Sequence, residues 1–291
     1  MKVLLTGGSG FIGSHVLAVL QRQGVDVVAL GRSSTSASIR HIECDLLAAS
    51  NFYTLLRREK ATHLVHLAWE AEHGKYWTSP LNLQWVKATL DLVEAFCSSG
   101  GQRVIMAGTC AEYDWNYGYC READTPMNPI TLYGTAKDAT RRLVAAICNQ
   151  HHVSFGWGRL FLPFGRGEAQ SRLIPSLIQV FQGKESVFPI NLTVYRDFLH
   201  ASDVATGFLQ LLTSNADGSY NISSGVPVCL NDVVNMLAAL LDADPEPILA
   251  QSTERLGEPE LLVGDNRKLK RLGWKPTLSM WSGLEYILNE N

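Results

Sequence analysis

Tyr133 and Lys137 stand one helical turn apart in the run Tyr133-Gly134-Thr135-Ala136-Lys137, which follows Asn128-Pro129. On a helix they share a face, so each side chain tunes the other. A free tyrosine titrates near pH ~10, and an ammonium and a nicotinamide cation beside it favour the phenolate, which brings proton exchange toward neutrality. Lowering the phenol by about three units takes roughly 4 kcal/mol of differential stabilisation. Upstream, Ala107-Gly108-Thr109-Cys110-Ala111-Glu112-Tyr113 closes a predicted strand. Open α/β sheets bind ligands at that carboxyl edge, so Thr109 is placed to hydrogen-bond a reacting carbonyl. A strand-end threonine alone would more commonly satisfy its own backbone, and the company of Tyr133 and Lys137 reverses that reading.

A dinucleotide signal lies at the N-terminus. Thr6-Gly7-Gly8-Ser9-Gly10-Phe11-Ile12-Gly13 follows the first predicted strand and opens a helix, with glycines at 7, 10 and 13. Small residues let the backbone approach a pyrophosphate, and the helix N-terminus offers unpaired N–H groups and the positive end of its dipole. At the end of the second strand an acidic side chain would bond the adenosine ribose and favour NAD. The sequence has Leu30-Gly31-Arg32-Ser33-Ser34 there. Arg32, assisted by Ser33 and Ser34, suits a 2′-phosphate, because a guanidinium fork binds phosphate oxygens in paired hydrogen bonds. NADP(H) is therefore expected in preference to NAD(H).

These residues need a frame. Short apolar runs alternate with longer helical patterns through the first half, which predicts an α/β fold of Rossmann type: a doubly wound parallel sheet covered on both faces. Strands are expected at Lys2 to Thr6, Val25 to Leu30, Ile39 to Cys44, His63 to Leu67, Gln102 to Ala107 and Val153 to Arg159. Helices are expected at Phe11 to Gln23, Pro80 to Ser98 and Tyr133 to His151, with Gly24 and Gly100 as stops. Past Arg166 the alternation ends. There the pattern gives a helix from Arg172 to Gln182, an extended stretch from Phe188 to Phe198 and a helix from Ser202 to Leu212. A strand near Tyr220 to Ile222, a helix from Leu230 to Leu241 and a last helix from Met280 follow. Residues 1–165 are expected to bind the cofactor, with the segment about 201–225 returning to that unit, and residues 166–291 to form a smaller α/β cap that binds substrate.

Composition bounds the partners. With a net charge of -3 and scattered Lys and Arg, there is no basic footprint for nucleic acid. No uninterrupted apolar run reaches the ~18 residues that a membrane span needs. The N-terminus runs straight into the glycine loop without a signal-peptide pattern, so a soluble, cytoplasmic protein is expected. The six cysteines are dispersed without C-x-x-C pairs and read as reduced thiols, and the histidines show no metal-ligand spacing.

In their order, these motifs resemble the extended short-chain dehydrogenase/reductase family, the group of nucleotide-sugar epimerases, dehydratases and 4-ketoreductases. Thr6 to Gly13 is similar to its T-G-G-x-G-F-I-G, Cys44-Asp45-Leu46 to its adenine-contacting segment, and His66-Leu67-Ala68 to its H-L-A-A. Thr109, Tyr133 and Lys137 fall on its catalytic Ser/Thr, Tyr and Lys. Arg159 to Gly165 resembles R-x-x-N-x-Y-G, Tyr195 to Ala205 resembles R-D-F-I-x-V-x-D-V-A, and Leu272-Gly273-Trp274-Lys275-Pro276 resembles L-G-W-x-P. The resemblance implies that Gly7, Gly10, Phe11, Ile12, Gly13, Arg32, Ser33, Asp45, Leu46, Leu67, Ala68, Tyr133 and Lys137 contact the cofactor. It implies that Trp69 lines the sugar pocket, that Arg196 and Arg255 bind the diphosphate of a nucleotide-sugar substrate, and that the helices at Pro80 to Ser98 and Tyr133 to His151 pair two copies into a homodimer.

Departures from the family pattern narrow the reaction. Family dehydratases follow the catalytic Thr with Asp and Glu, whereas Cys110 and Ala111 stand here, which removes the acid and base of an elimination. Arg32 departs from the acidic residue with which family 4-epimerases hold NAD. Trp69 stands where a smaller residue is usual, and Trp85 where the family has Asn beside the cofactor. The expected activity is NADPH-dependent reduction of the 4-keto group of a nucleotide-linked 4-keto-6-deoxy sugar. A nucleotide-sugar 4-epimerase is the alternative, and a non-catalytic NADP-binding scaffold or sensor is the third reading.

Overall fold

The computed structural model describes residues 1–34, 38–49 and 51–289. Strand β1 (Lys2–Thr6) leads through the glycine loop into helix α1 (Phe11–Arg22). There follow β2 (Asp26–Gly31), β3 (Arg40–Glu43), α2 (Tyr53–Glu59), β4 (His63–His66), α3 (Leu81–Ser98) and β5 (Arg103–Thr109). Two single 3-10 turns, Cys110–Glu112 and Trp115–Tyr117, precede β6 (Tyr119–Cys120) and α4 (Leu132–Gln150). Next come β7 (Ser154–Leu160), β8 (Leu162–Phe164), α5 (Leu173–Phe181), β9 (Tyr195–Arg196), β10 (Phe198–His200) and α6 (Ala201–Thr213). The chain ends with β11 (Gly218–Ile222), β12 (Val228–Cys229), α7 (Leu230–Leu241), α8 (Glu246–Leu249), β13 (Leu261–Gly264), α9 (Arg267–Lys270) and α10 (Met280–Asn289).

Seven strands form the doubly wound parallel sheet that the alternation predicts, in the order β11-β7-β5-β4-β1-β2-β3. Successive side chains of a strand point to opposite faces, and both faces are covered. Val3 and Leu5 pack with Val16, Leu20, Val204 and Phe208 of α1 and α6. Leu4 and Leu30 pack on the other face with Leu92, Val144 and Trp157. Strand order reverses between β1 and β4, and ligands of such sheets bind at the carboxyl ends beside that switch point.

A four-stranded sheet, β12-β9-β13-β6, and the pair β10-β8 are drawn, apart from β6, from the chain beyond β7. Asp197 pins this region to the main sheet. It is fully buried and accepts bonds from Ser224 N and Oγ (both 2.7 Å), Gly225 N (3.0 Å) and Gly264 N (3.1 Å). Burial still pushes its carboxyl up to about 6. On the far side, the Arg103 guanidinium donates to the carbonyls of Leu211 (Nη2 at 2.7 Å) and Ala216 (2.7 Å), tying β5 to the last turn of α6 and the segment that follows it.

The short strands and α2 carry no periodic signal. The extended stretch from Phe188 to Phe198 condenses into β9 and the start of β10, with Ile190 bridging Ser252. Among the described residues no helix is long and apolar enough to cross a membrane.

Candidate active site

A cleft of about 990 Å³ opens at the carboxyl edge of the sheet, between the glycine loop and the segments after β7. The loop is built by close approach. A Cβ on Gly13 would sit 1.9 Å from the Gly7 carbonyl oxygen, so only glycine lets α1 start this tightly against the turn. Gly10, the N-cap of α1, brings no side-chain acceptor, and the first turn holds no acidic residue. The N–H groups of Phe11 and Ile12 therefore begin the helix without a side-chain cap at the cleft wall. That cradle fits the pyrophosphate of a dinucleotide.

His66, at the end of β4, fixes the loop from behind. Its Nδ1 lies 2.7 Å from Thr6 Oγ1 and its Nε2 3.0 Å from Thr89 Oγ1 on α3. Burial, with the nearby Lys137 charge, pushes the imidazole down to about 3, so it is a neutral pin.

Thr109 ends β5 and caps the following turn. Its Oγ1 accepts from Ala111 N (3.2 Å), and Glu112 Oε1 accepts from Thr109 N (2.8 Å). This reciprocal cap is the T-x-x-E pattern of positions 109 to 112. Glu112 is fully buried and also accepts from Trp157 Nε1 (2.9 Å) and Arg159 Nε (2.7 Å), which locks the turn in place. Helix α4 presses onto the turn, since a Cβ on Gly134 would lie 2.2 Å from the Ala111 carbonyl oxygen. Thr131 caps α4 by accepting from Gly134 N (3.1 Å), and the Trp77 carbonyl accepts from Tyr133 N (3.1 Å). Together these contacts aim Tyr133 and Lys137 into the cleft beside Thr109.

Contrary to the lowering expected from the neighbouring lysine, burial raises the Tyr133 hydroxyl far above its ordinary range, with Tyr76 adding to the rise and the Thr109 hydroxyl opposing it by hydrogen bonding. The Lys137 ammonium is pushed down to about 7 by burial, with Glu112 acting in the opposite direction. Its Nζ donates to the Ala107 carbonyl (3.1 Å) and lies 3.9 Å from the centre of the Trp69 ring. The Cys110 thiol is raised by burial and stays protonated, and Ala111 carries no polar group. Aromatic rings wall the cleft around Tyr133, with Tyr76 at 4.8 Å and Trp77 at 5.7 Å between ring centres.

The cleft lining contains Gly7, Gly10, Phe11, Ile12, Gly13, Leu67, Ala68, Trp69, Thr109, Tyr133, Lys137, Arg196 and Arg255. Arg32 and Ser33 are exposed directly after β2, and Asp45 is exposed with its Oδ1 accepting from Leu47 N (3.0 Å). Leu46 is in the core. These four lie outside the cleft lining. Arg196 enters the cleft already held, with Glu258 Oε1 at 2.8 Å and the Pro259 carbonyl at 2.8 Å. Arg255 is exposed and donates to the Pro189 carbonyl (3.1 Å).

Sequence reasoning misses Glu168 and Arg172. Glu168 sits in Gly165-Arg166-Gly167-Glu168, which reads as a solvated loop, yet its side chain is 6% exposed and lines the cleft. Among the described residues its Oε2 has no hydrogen-bond partner, Arg172 Nε stands 3.7 Å from Oε1, and burial pushes the carboxyl up to about 7. Arg172 also lies 3.5 Å from His73 Nδ1.

The model of the NAD dependent epimerase/dehydratase family matches residues 3–223. The chain is 28% identical to a UDP-glucose 4-epimerase of Corynebacterium glutamicum, over 95% of this chain and 91% of that protein. It is 24% identical to a GDP-6-deoxy-D-mannose reductase of Pseudomonas aeruginosa, over 99% and 96% of the two chains. The solved structure of MoeE5 in complex with UDP-glucuronic acid and NAD superposes with a TM-score of 0.83 at 29% identity, covering 98% of this chain and 96% of that one.

Proposed function

The chain belongs to the NAD dependent epimerase/dehydratase family, whose enzymes act on nucleotide sugars, and within it we propose an NADPH-dependent reductase of a nucleotide-linked 4-keto-6-deoxy sugar. The observation that carries this reading is the segment after Thr109. The buried Cys110 thiol and Ala111 put no acid or base directly after Thr109, where an elimination would need its pair, which favours carbonyl reduction with Tyr133 as the proton donor. The similarity to a GDP-6-deoxy-D-mannose reductase supports it. So does Arg32 at the position where an acid would favour NAD.

Residues 1–165, with 201–225, are assigned to the cofactor and 166–291 to the sugar nucleotide. NADPH, when bound, supplies the hydride. The Tyr133 hydroxyl, protonated in its buried site, gives its proton to the C4 oxygen as that oxygen gains negative charge, which leaves a C4 hydroxyl on the sugar and a phenolate on Tyr133. Thr109 Oγ1 orients that oxygen. Lys137 Nζ, one turn along α4, lowers the cost of the phenolate left behind and hydrogen-bonds the cofactor ribose. Arg32 and Ser33 would hold the 2′-phosphate, and Asp45, Leu46, Leu67 and Ala68 would contact the rest of the cofactor. Arg196 and Arg255 face the substrate diphosphate. Leu83 on α3 and Leu143 on α4 are exposed apolar side chains, which supports a homodimer through these two helices.

The test is oxidation of NADPH by the purified protein against CDP-, GDP-, dTDP- and UDP-linked 4-keto-6-deoxy sugars. Turnover on one of them with a preference for NADPH over NADH is the expected outcome. The similarity to a UDP-glucose 4-epimerase favours a second reading, in which the same residues oxidise and re-reduce C4 around a retained cofactor. Protein that purifies with tightly held NAD and consumes no NADPH would establish that reading instead.

A further inference from the structure

Lys137 is buried to 4% exposure with no carboxylate in contact, an uncommon place for an ammonium. Its groups in reach are the Ala107 carbonyl, at 3.1 Å, and the face of Trp69, at 3.9 Å. Trp69 is not free to move. Its Nε1 donates to Asn82 Oδ1 (2.8 Å), and its ring stacks on Trp85 with centres 6.0 Å apart and planes 26° apart. Asn82 is itself fully buried, and its Nδ2 donates to the carbonyls of Tyr76 (2.7 Å) and Ser79 (2.9 Å). The two tryptophans at unusual positions are thus one feature, a clamped indole with its face turned to the lysine.

We infer that Trp69 is a positioning residue for Lys137: its π-face, fixed by Asn82 and Trp85, holds the ammonium in register with Tyr133 and favours its charged form inside a dry site. An indole face attracts a cation most strongly where water is excluded. The other groups facing Lys137 are few. From β4 there is the neutral His66, from the turn after β5 the Glu112 carboxylate, which is committed to Trp157 and Arg159, and from α4 itself Tyr133. Helix α3 contributes Trp85 behind the clamp. Burial works against the charge and the Glu112 carboxylate for it, and the Trp69 face adds to the side of the charge, so the ring shifts how much of the lysine stays cationic at neutral pH.

The inference rests on the proposed reaction only in taking Lys137 as the working lysine, and it is tested without substrate. The full-length protein, stripped of cofactor and labelled with 13C at lysine Cε, is titrated by NMR. One Cε–Hε signal is expected upfield from the ring current of Trp69, absent from Lys137→Met, with a midpoint near 7. In Trp69→Leu the upfield shift is lost and the midpoint falls by about one pH unit, the size of a desolvated cation–π contact. Trp69→Phe keeps a face without the indole N–H and recovers part of both effects. It also serves as the reporter should the leucine variant not fold, its midpoint then falling below that of the wild type. An unshifted lysine signal in the wild type, or a midpoint that stays in place in folded Trp69→Leu or Trp69→Phe, overturns the inference. A failed substrate panel with the lysine titration as described would overturn the reductase reading alone.

Discussion

Replacing Glu168 with Gln should stabilise the protein, and increasingly so as pH rises. The wild-type carboxyl is lifted from its ordinary 4.5 to about 7 because burial penalises the charge more than Arg172 compensates it. A carboxyl raised on folding binds more protons in the native state than in the unfolded chain between those two values. Its contribution is therefore fully present below the lower one and is lost as pH climbs through the upper one. For a shift of this size the cost of the native charge is about 1 kcal/mol at pH ~5 and about 3 kcal/mol at pH ~8. Glutamine keeps the shape and never ionises. Urea unfolding of both proteins across this range, without ligand, should show the variant's advantage widening by roughly 2 kcal/mol. A constant difference would mean that Glu168 is not held in a low-dielectric site, and the account of the buried, partnerless Oε2 would fail.

Tyr133→Phe should lower turnover by about 10³-fold through loss of the proton donor while leaving NADPH affinity unchanged, as read by fluorescence titration alongside steady-state rates. Arg32→Ala should weaken NADPH binding by roughly 10- to 100-fold, the worth of charge-assisted hydrogen bonds, with little change for NADH; equal losses for both would remove the 2′-phosphate role. Leu143→Glu, at an exposed position of α4, should shift the molecular mass measured by light scattering from dimer toward monomer, and a mass unaltered by the change would argue for another interface.

What could be read from the sequence follows from how local each feature is. The glycine loop, Thr109 and the Tyr133–Lys137 spacing are each written within a few consecutive residues, and the parallel strands β1, β2, β4 and β5 are runs buried along most of their length. By contrast, β6, β9 and β12 are two residues long and exist because distant segments meet, with β13 pairing with both β6 and β9. No window of sequence contains that information. Trp69 and Trp85 stand out as unusual residues, but their stacking joins the segment after β4 to the first turns of α3, which spacing does not reveal. Glu168 has the look of a surface residue between small neighbours, yet its side chain is 6% exposed at the cleft, beside Arg172 at the start of α5.

The return of β11 to the edge of the main sheet has a consequence for how the chain is made. When β7 has left the ribosome, one side of it is still an unpaired edge, and Arg103 lacks its acceptors at Leu211 and Ala216. At usual elongation rates the residues up to Ile222 take on the order of several seconds more to appear. Through that interval the nascent N-terminal half carries an open strand and a guanidinium missing its two carbonyl acceptors, both of which invite wrong pairing. A chain truncated just after β7 would keep that defect for good and should collect in the insoluble fraction.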